Sequence, residues 1–160
     1  MYYNIAPLQK LKLTHINFTF LKCYFLMEQQ HRKLCHKLKG FKSTVSYEEL
    51  KALLAKSKDL ILIDVRETDE VNKGRIPRST HIALGTVETA FKMSPEDFQA
   101  TYGIPKPALD APELVFYCRS GKRSAEAISK ARELGYVTAR NYTGSYLDWS
   151  RREGYEKTDS

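Results

Sequence analysis

Cys118 stands between the apolar run "ELVFY" (113–117) and the helix-forming run "SAEAISKAREL" (124–134). It is followed at once by Arg119, Ser120, Gly121, Lys122, Arg123 and Ser124. A structural thiol packs among apolar neighbours. A thiol flanked by three cations and a glycine has the surroundings of a reactive thiolate. The N–H groups of a strand-to-helix turn can point inward as an anion cradle, and the following helix adds the positive end of its dipole. Gly121 gives such a turn backbone conformations closed to other residues. A free cysteine of pKa about 8.5 is only about 3% ionised at pH 7, and lowering it by about two units makes roughly 75% nucleophile. The same cations draw an anionic substrate.

The elements needed to hold this loop are legible on either side of it. "STVSYEELKALLAKSKD" (43–59) predicts a helix with a capping box, Ser46 as N-cap and Glu49 three residues on, and Leu50, Leu53 and Leu54 at helical spacing. "LILIDV" (60–65) reads as a strand buried on both faces. "ETDEVNKG" (67–74) reads as one or two helical turns closed by Gly74, and "THIAL" (80–84) as a second strand. In "SPEDFQATYG" (94–103), Ser94 caps a helix, Pro95 opens it and Gly103 ends it. "IPKPALDAP" (104–112) is a loop, "ELVFY" a third strand, 124–134 a helix ended by Gly135, and "VTARNY" (137–142) a fourth strand. "GSYLDWSRREG" (144–154) opens a last helix, with Ser145 as N-cap and Asp148 at its third position. Strands alternating with helices at this spacing imply crossover units and a small parallel sheet in one α/β domain. At the carboxyl edge of such a sheet, where Cys118 falls, open α/β folds bind ligands.

The chain has 160 residues, 42% hydrophobic and 28% charged, as a soluble globular protein does. Its net charge of +7 is localised. Of 26 Lys/Arg and 19 Asp/Glu, residues 1–42 hold eight and one, so 43–160 hold 18 of each. A neutral body argues against a nucleic-acid partner, which needs a basic face on the fold itself. Residues 1–42 read as a basic N-terminal extension, disordered or targeting, and 43–157 as the domain. The extension has no acid before Glu28, partly as a mitochondrial presequence does, and Met27 is a second possible start. Phe18–Met27 is too short, and interrupted by Lys22, for a membrane span. Three cysteines make no disulfide framework, and Cys23 and Cys35, near His31 and His36, lack zinc-ligand spacing, so no metal is expected.

Three segments together resemble the rhodanese family of sulfurtransferases. "LIDVRETDEVNKGRIPRSTHIAL" (62–84) resembles its first signature, "VFYCRSGKRSAEA" (115–127) its six-residue catalytic loop, and "NYTGSYLDW" (141–149) its closing signature. The spacing is most similar to the family's small single-domain thiosulfate sulfurtransferases. The resemblance implies a single rhodanese-like α/β domain, a small parallel sheet with helices on both faces, working without a cofactor. It implies Cys118 as the catalytic nucleophile, carrying a persulfide, and a substrate site at Arg119, Ser120, Gly121, Lys122, Arg123 and Ser124. Arg119 and Lys122 would steer the donor, and Arg123 would hold the loop. The implied donor is a small sulfur anion such as thiosulfate. The acceptor would be a thiol (glutathione, thioredoxin or another protein thiol) or cyanide. Asp64, Arg66, Gly144 and Trp149 match signature positions and read as structural. The expected location is mitochondrial or cytoplasmic, the basic extension favouring mitochondria. The family departures are Arg75 for a usual His, and Arg78–Ser79 for a usual Gly-Ala pair.

Two other readings are weighed against this one. A cysteine phosphatase needs five residues between its Cys and Arg, whereas here the Arg comes one position early and Ser124 takes its place. A non-catalytic rhodanese module typically lacks the cysteine, which is present here.

Overall fold

Successive residues of a strand face opposite sides of a sheet, so a strand apolar at every position needs cover on both faces. The computed structural model has that arrangement in residues 41–155, the ones it describes. The chain divides into two units, residues 1–40 and 41–160. The readings of Met27, Cys23 and Cys35 therefore lie outside the described residues.

Five strands form one parallel sheet: β1 (Thr44–Val45), β2 (Ile61–Asp64), β3 (Ser79–His81), β4 (Leu114–Tyr117) and β5 (Arg140–Tyr142). Their order is β1-β5-β4-β2-β3, with Ile63 beside Phe116 and Asp64 beside Tyr117. The helices are α1 (Tyr47–Lys56), α2 (Thr68–Asn72), α3 (Val87–Lys92), α4 (Pro95–Tyr102), α5 (Lys122–Glu133) and α6 (Ser145–Glu153). On one face Ile63, Leu114 and Phe116 pack against Phe91 of α3, Phe98 of α4 and Ala127 and Ala131 of α5. On the other, Leu62, Val115 and Tyr117 pack with Leu50 of α1 and Trp149 of α6. Each such Leu or Phe stabilises the fold by about 1.5–3 kcal/mol. The alternation carries past the strand end, so Cys118 returns to the Phe116 face, the one α5 covers.

The structure differs from the sequence reading at particular points. Ser46 does cap α1, accepting the Glu49 N–H, but the Glu49 carboxylate turns to Arg140 at 2.5 Å, so the capping box is half made. The strand expected over 137–142 begins only at Arg140, because Val137 N–H and Ala139 N–H close turns on Gly135 and Tyr136. α5 begins at Lys122, two residues before the expected Ser124, because Gly121 turns the chain straight into it. β1 and α3 lay unseen in the sequence: two residues and six residues are too short to show a period. Ser94, Pro95 and Gly103 frame α4 as expected, Gly103 at φ 72°. Arg78 keeps the turn usually made by glycine, at φ 63°, and its guanidinium donates to Leu54 O.

Beneath the sheet's carboxyl edge lies a buried charge pair. Asp64 is fully buried and Arg66 is 2% exposed, with Arg66 Nη2 at 2.7 Å from Asp64 Oδ2. The Tyr117 hydroxyl donates to the same carboxylate at 2.6 Å and accepts the Ile76 N–H at 3.1 Å. Arg66 also donates to Glu70 O and Gly74 O, so it holds the middle of α2 and the turn that follows it. Removing one partner strands a buried charge. Arg66→Ala is expected to cost about 3–5 kcal/mol in urea denaturation. A loss below about 1 kcal/mol would put the pair among exposed, weak ones.

Candidate active site

Cys118 is the first residue after β4, and its loop is held from three sides. Gly121, at φ 90°, turns its own N–H onto Cys118 Sγ at 3.1 Å. A side chain there would be strained by that φ, and its Cβ would meet Thr143 O at 2.5 Å. The first amides of α6, orphaned as at any helix start, are taken by loop carbonyls: Tyr146 N–H to Cys118 O at 2.9 Å and Leu147 N–H to Arg119 O at 3.1 Å. Arg123 forks onto the Glu70 carboxylate of α2 at 2.6 and 2.8 Å.

The sulfur sits in a cup of donors. Cys118 is 1% exposed, and burial alone would raise its pKa. The Ser124 hydroxyl and the amides of Ser124, Ser120 and Gly121 outweigh burial and hold the thiol below its ordinary value. The Ser124 hydroxyl lies 3.6 Å from Sγ and the Ser145 hydroxyl 4.0 Å. Such a site stabilises a sulfur anion with fixed dipoles.

The sequence-derived set separates in space. Cys118, Gly121 and Ser124 converge, and Ser120 joins them through its amide. Arg123 is spent on Glu70, whereas Arg119 and Lys122 are exposed and have no side-chain partner among the described residues. Beside the loop runs an open groove of about 690 Å³, with Ser120, Thr143, Leu147, Arg151 and Arg152 in its lining.

Three contributors were missed. Glu70 falls in the first signature, but nothing in the sequence showed that it faces Arg123. Asn141 is a poor strand former inside β5, the one signal it gave; its side chain accepts from Ser124 Oγ at 2.8 Å and donates to Gly121 O at 3.2 Å. Ser145, read as an N-cap, is instead the first residue of α6 at φ 53°, with Gly144 as the cap. Its buried hydroxyl accepts the Cys118 N–H at 3.2 Å and donates to Tyr142 O at 2.8 Å, which occupies it away from capping.

A parallel α/β sheet with a cysteine at the mouth of a strand-to-helix loop defines the class, and comparison with known proteins supplies the family. Residues 46–152 match the model of the rhodanese-like domain, and the chain belongs to that family. It is 44% identical over 110 residues to a human protein named thiosulfate:glutathione sulfurtransferase, covering 69% of this chain and 95% of that one. It is 32% identical over 94 residues to the Saccharomyces cerevisiae mitochondrial thiosulfate sulfurtransferase RDL2, covering 59% and 62%. The solved structure of the human single-domain sulfurtransferase TSTD1 is similar with a TM-score of 0.66 and 44% identity, over 69% of this chain and 97% of that one.

Two outcomes follow from the loop's supports. Gly121→Ala must displace Thr143 or the loop, so we expect a stability loss of at least about 1 kcal/mol and slower alkylation of Cys118. Alkylation at the native rate would show that the Gly121 amide does not hold the sulfur. The second outcome concerns acid. Arg123 holds the Glu70 pKa down from 4.5 to about 2. The charged form is the one the fold prefers, so the stabilisation is complete above pH 4.5 and is lost as pH falls toward 2. Glu70→Gln is expected to lose on the order of 2 kcal/mol at neutral pH, discounted for its partial exposure. Its denaturation midpoint should also vary less across that acid window than the native protein's. Parallel acid profiles would remove Glu70 from this role.

Proposed function

We propose that this chain is a rhodanese-type thiosulfate sulfurtransferase that moves sulfane sulfur to a thiol through a persulfide on Cys118. One observation carries the reading: Cys118 Sγ, at the end of β4, receives the Gly121 N–H at 3.1 Å, with the Ser120 and Ser124 amides also directed at it. The names of the relatives, thiosulfate:glutathione sulfurtransferase among them, support thiosulfate as donor and glutathione as acceptor.

In the first step the Cys118 thiolate attacks the outer sulfur of thiosulfate. The sulfur–sulfur bond of the donor breaks, and sulfite leaves with the electron pair. The enzyme keeps Cys–S–S⁻, whose charge meets the same amides. In the second step an acceptor thiolate attacks the outer sulfur, and the Cys118–sulfur bond breaks. The acceptor leaves as a persulfide anion, and the Cys118 thiolate returns. Arg119 and Lys122, exposed beside the loop, draw the dianionic donor. Arg123 holds the loop to Glu70 rather than gripping substrate oxygens. That also sets the site apart from a phosphatase, where an arginine forks onto phosphate. The groove that includes Ser120 gives a peptide thiol such as glutathione room beside the loop.

Residues 43–157 constitute the catalytic domain in this proposal, and 1–42 a basic extension. That extension, with a mitochondrial relative at 32% identity, supports a mitochondrial location. No helix among the described residues is long and apolar enough to cross a membrane.

With thiosulfate and glutathione, or thiosulfate and cyanide, the protein is expected to release sulfite. Cys118→Ser should lower the rate at least about a thousand-fold. Activity surviving that substitution overturns the Cys118 mechanism. A native protein silent with every acceptor would be a binding module.

A further inference from the structure

The hydroxyl nearest the sulfur is already committed elsewhere. Ser124 has one proton to give. Its oxygen lies 2.8 Å from Asn141 Oδ1 and 3.6 Å from Cys118 Sγ. The orientation of the Asn141 amide is fixed by its other end: Nδ2 faces Gly121 O at 3.2 Å, and a carbonyl can only accept. Oδ1 must therefore face Ser124, and it too can only accept. In this arrangement the Ser124 proton points at Asn141, and its lone pairs face the sulfur. Ser145 has no comparable freedom, since its own proton is on Tyr142 O at 2.8 Å.

We propose that Asn141 is a positioning residue that holds the Ser124 proton away from Cys118 while the sulfur is a thiol and yields it when the sulfur becomes an anion. A thiol donates its S–H to Ser124 Oγ, and Ser124 donates its own O–H to Asn141 Oδ1. A thiolate has no proton to offer. The Ser124 hydroxyl then turns from Oδ1 to sulfur, and Asn141 Oδ1 gives up a partner. Ionisation breaks the S–H bond and releases that proton to solvent; at Ser124 no bond breaks, and only the direction of its O–H changes. Asn141 thus competes with the sulfur for that proton and keeps the anion from being over-stabilised. The distinction matters because a thiolate held too tightly is a weaker nucleophile.

The surroundings leave this switch exposed to measurement. Arg123 of α5 is near enough to Cys118 to feel its charge, but its guanidinium is paired with Glu70 of α2. Arg119 and Lys122 project into solvent. The groups that β5 and α6 bring to the loop around the sulfur, Asn141 and Ser145, are uncharged.

The proposal rests on Cys118 being the nucleophile, and its test does not use turnover. The rate of iodoacetamide alkylation of Cys118, followed by mass spectrometry of the peptide that contains it, is measured against pH in the full chain. Ser124→Ala is expected to raise the midpoint by about one pH unit. Asn141→Ala is expected to lower it by about half a unit in the native background and to leave it unmoved in the Ser124→Ala background. Asn141→Thr, which suits a strand and no longer forces the direction of the proton, should shift the midpoint the same way. Equal shifts in both backgrounds, or no shift in either, overturn the proposal. Loss of sulfur transfer in Cys118→Ser bears on the enzyme reading alone, so the two can fail separately.

Discussion

An amide that cannot turn away is the central constraint of this site. The Gly121 N–H sits 3.1 Å from Cys118 Sγ because the chain at Gly121 is left-handed. In the proposed cycle the sulfur is an anion twice, as thiolate and as persulfide, in a place that is 1% exposed. Side-chain cations would need desolvation to serve there; backbone dipoles are already in position. The geometry dictates what surrounds it. Thr143 O lies against the Gly121 α-carbon, so the β5–α6 turn must pass at that point and no side chain can intervene. α6 then gives its first amides to the loop carbonyls, and Ser145 accepts a left-handed backbone to place a hydroxyl on the Cys118 N–H. A non-glycine residue in that region costs of order 1 kcal/mol or more, so the strain lies where the sulfur is held.

The second frame runs from the sheet outward. Asp64 and Arg66 are buried together, and Arg66 reaches the carbonyls of Glu70 and Gly74. Glu70 in turn grips Arg123, in the first turn of α5 just after the loop. A buried ion pair is weak evidence for net stability. Its consequence here is positional: β2, α2 and the loop are tied into one chain of directed contacts, which apolar packing alone would leave free to slide.

Much of this was legible because strong local signals agreed. The run 60–65 suits a strand covered on both faces, Pro95 and Gly103 bracket their helix, and Cys118 among cations stands out as the candidate site. The illegible parts have a common cause. β1 is two residues long, so it owes its existence to its partner β5 rather than to any pattern of its own. The contacts of Glu70, Asn141 and Ser145 span 53, 20 and 27 residues, and one-dimensional spacing carries no trace of them. Ser145 showed the limit most plainly: a serine at a helix start suggests a cap, but the nearby Cys118 amide and Tyr142 carbonyl competed successfully for its hydroxyl.

The shortness of β1 also bears on how much of the chain's beginning the domain can lose. Its carbonyls and the residues just before it are in use: Ser43 O accepts the Asn141 N–H, and Arg140 donates to Lys42 O and Thr44 O. Proteolytic trimming that stops before Lys42 leaves every one of these bonds intact. Trimming past Thr44 would bare the edge of β5, the strand that carries Asn141 to Ser124 and Gly121, so the tolerable cut and the site's supports are separated by only a few residues.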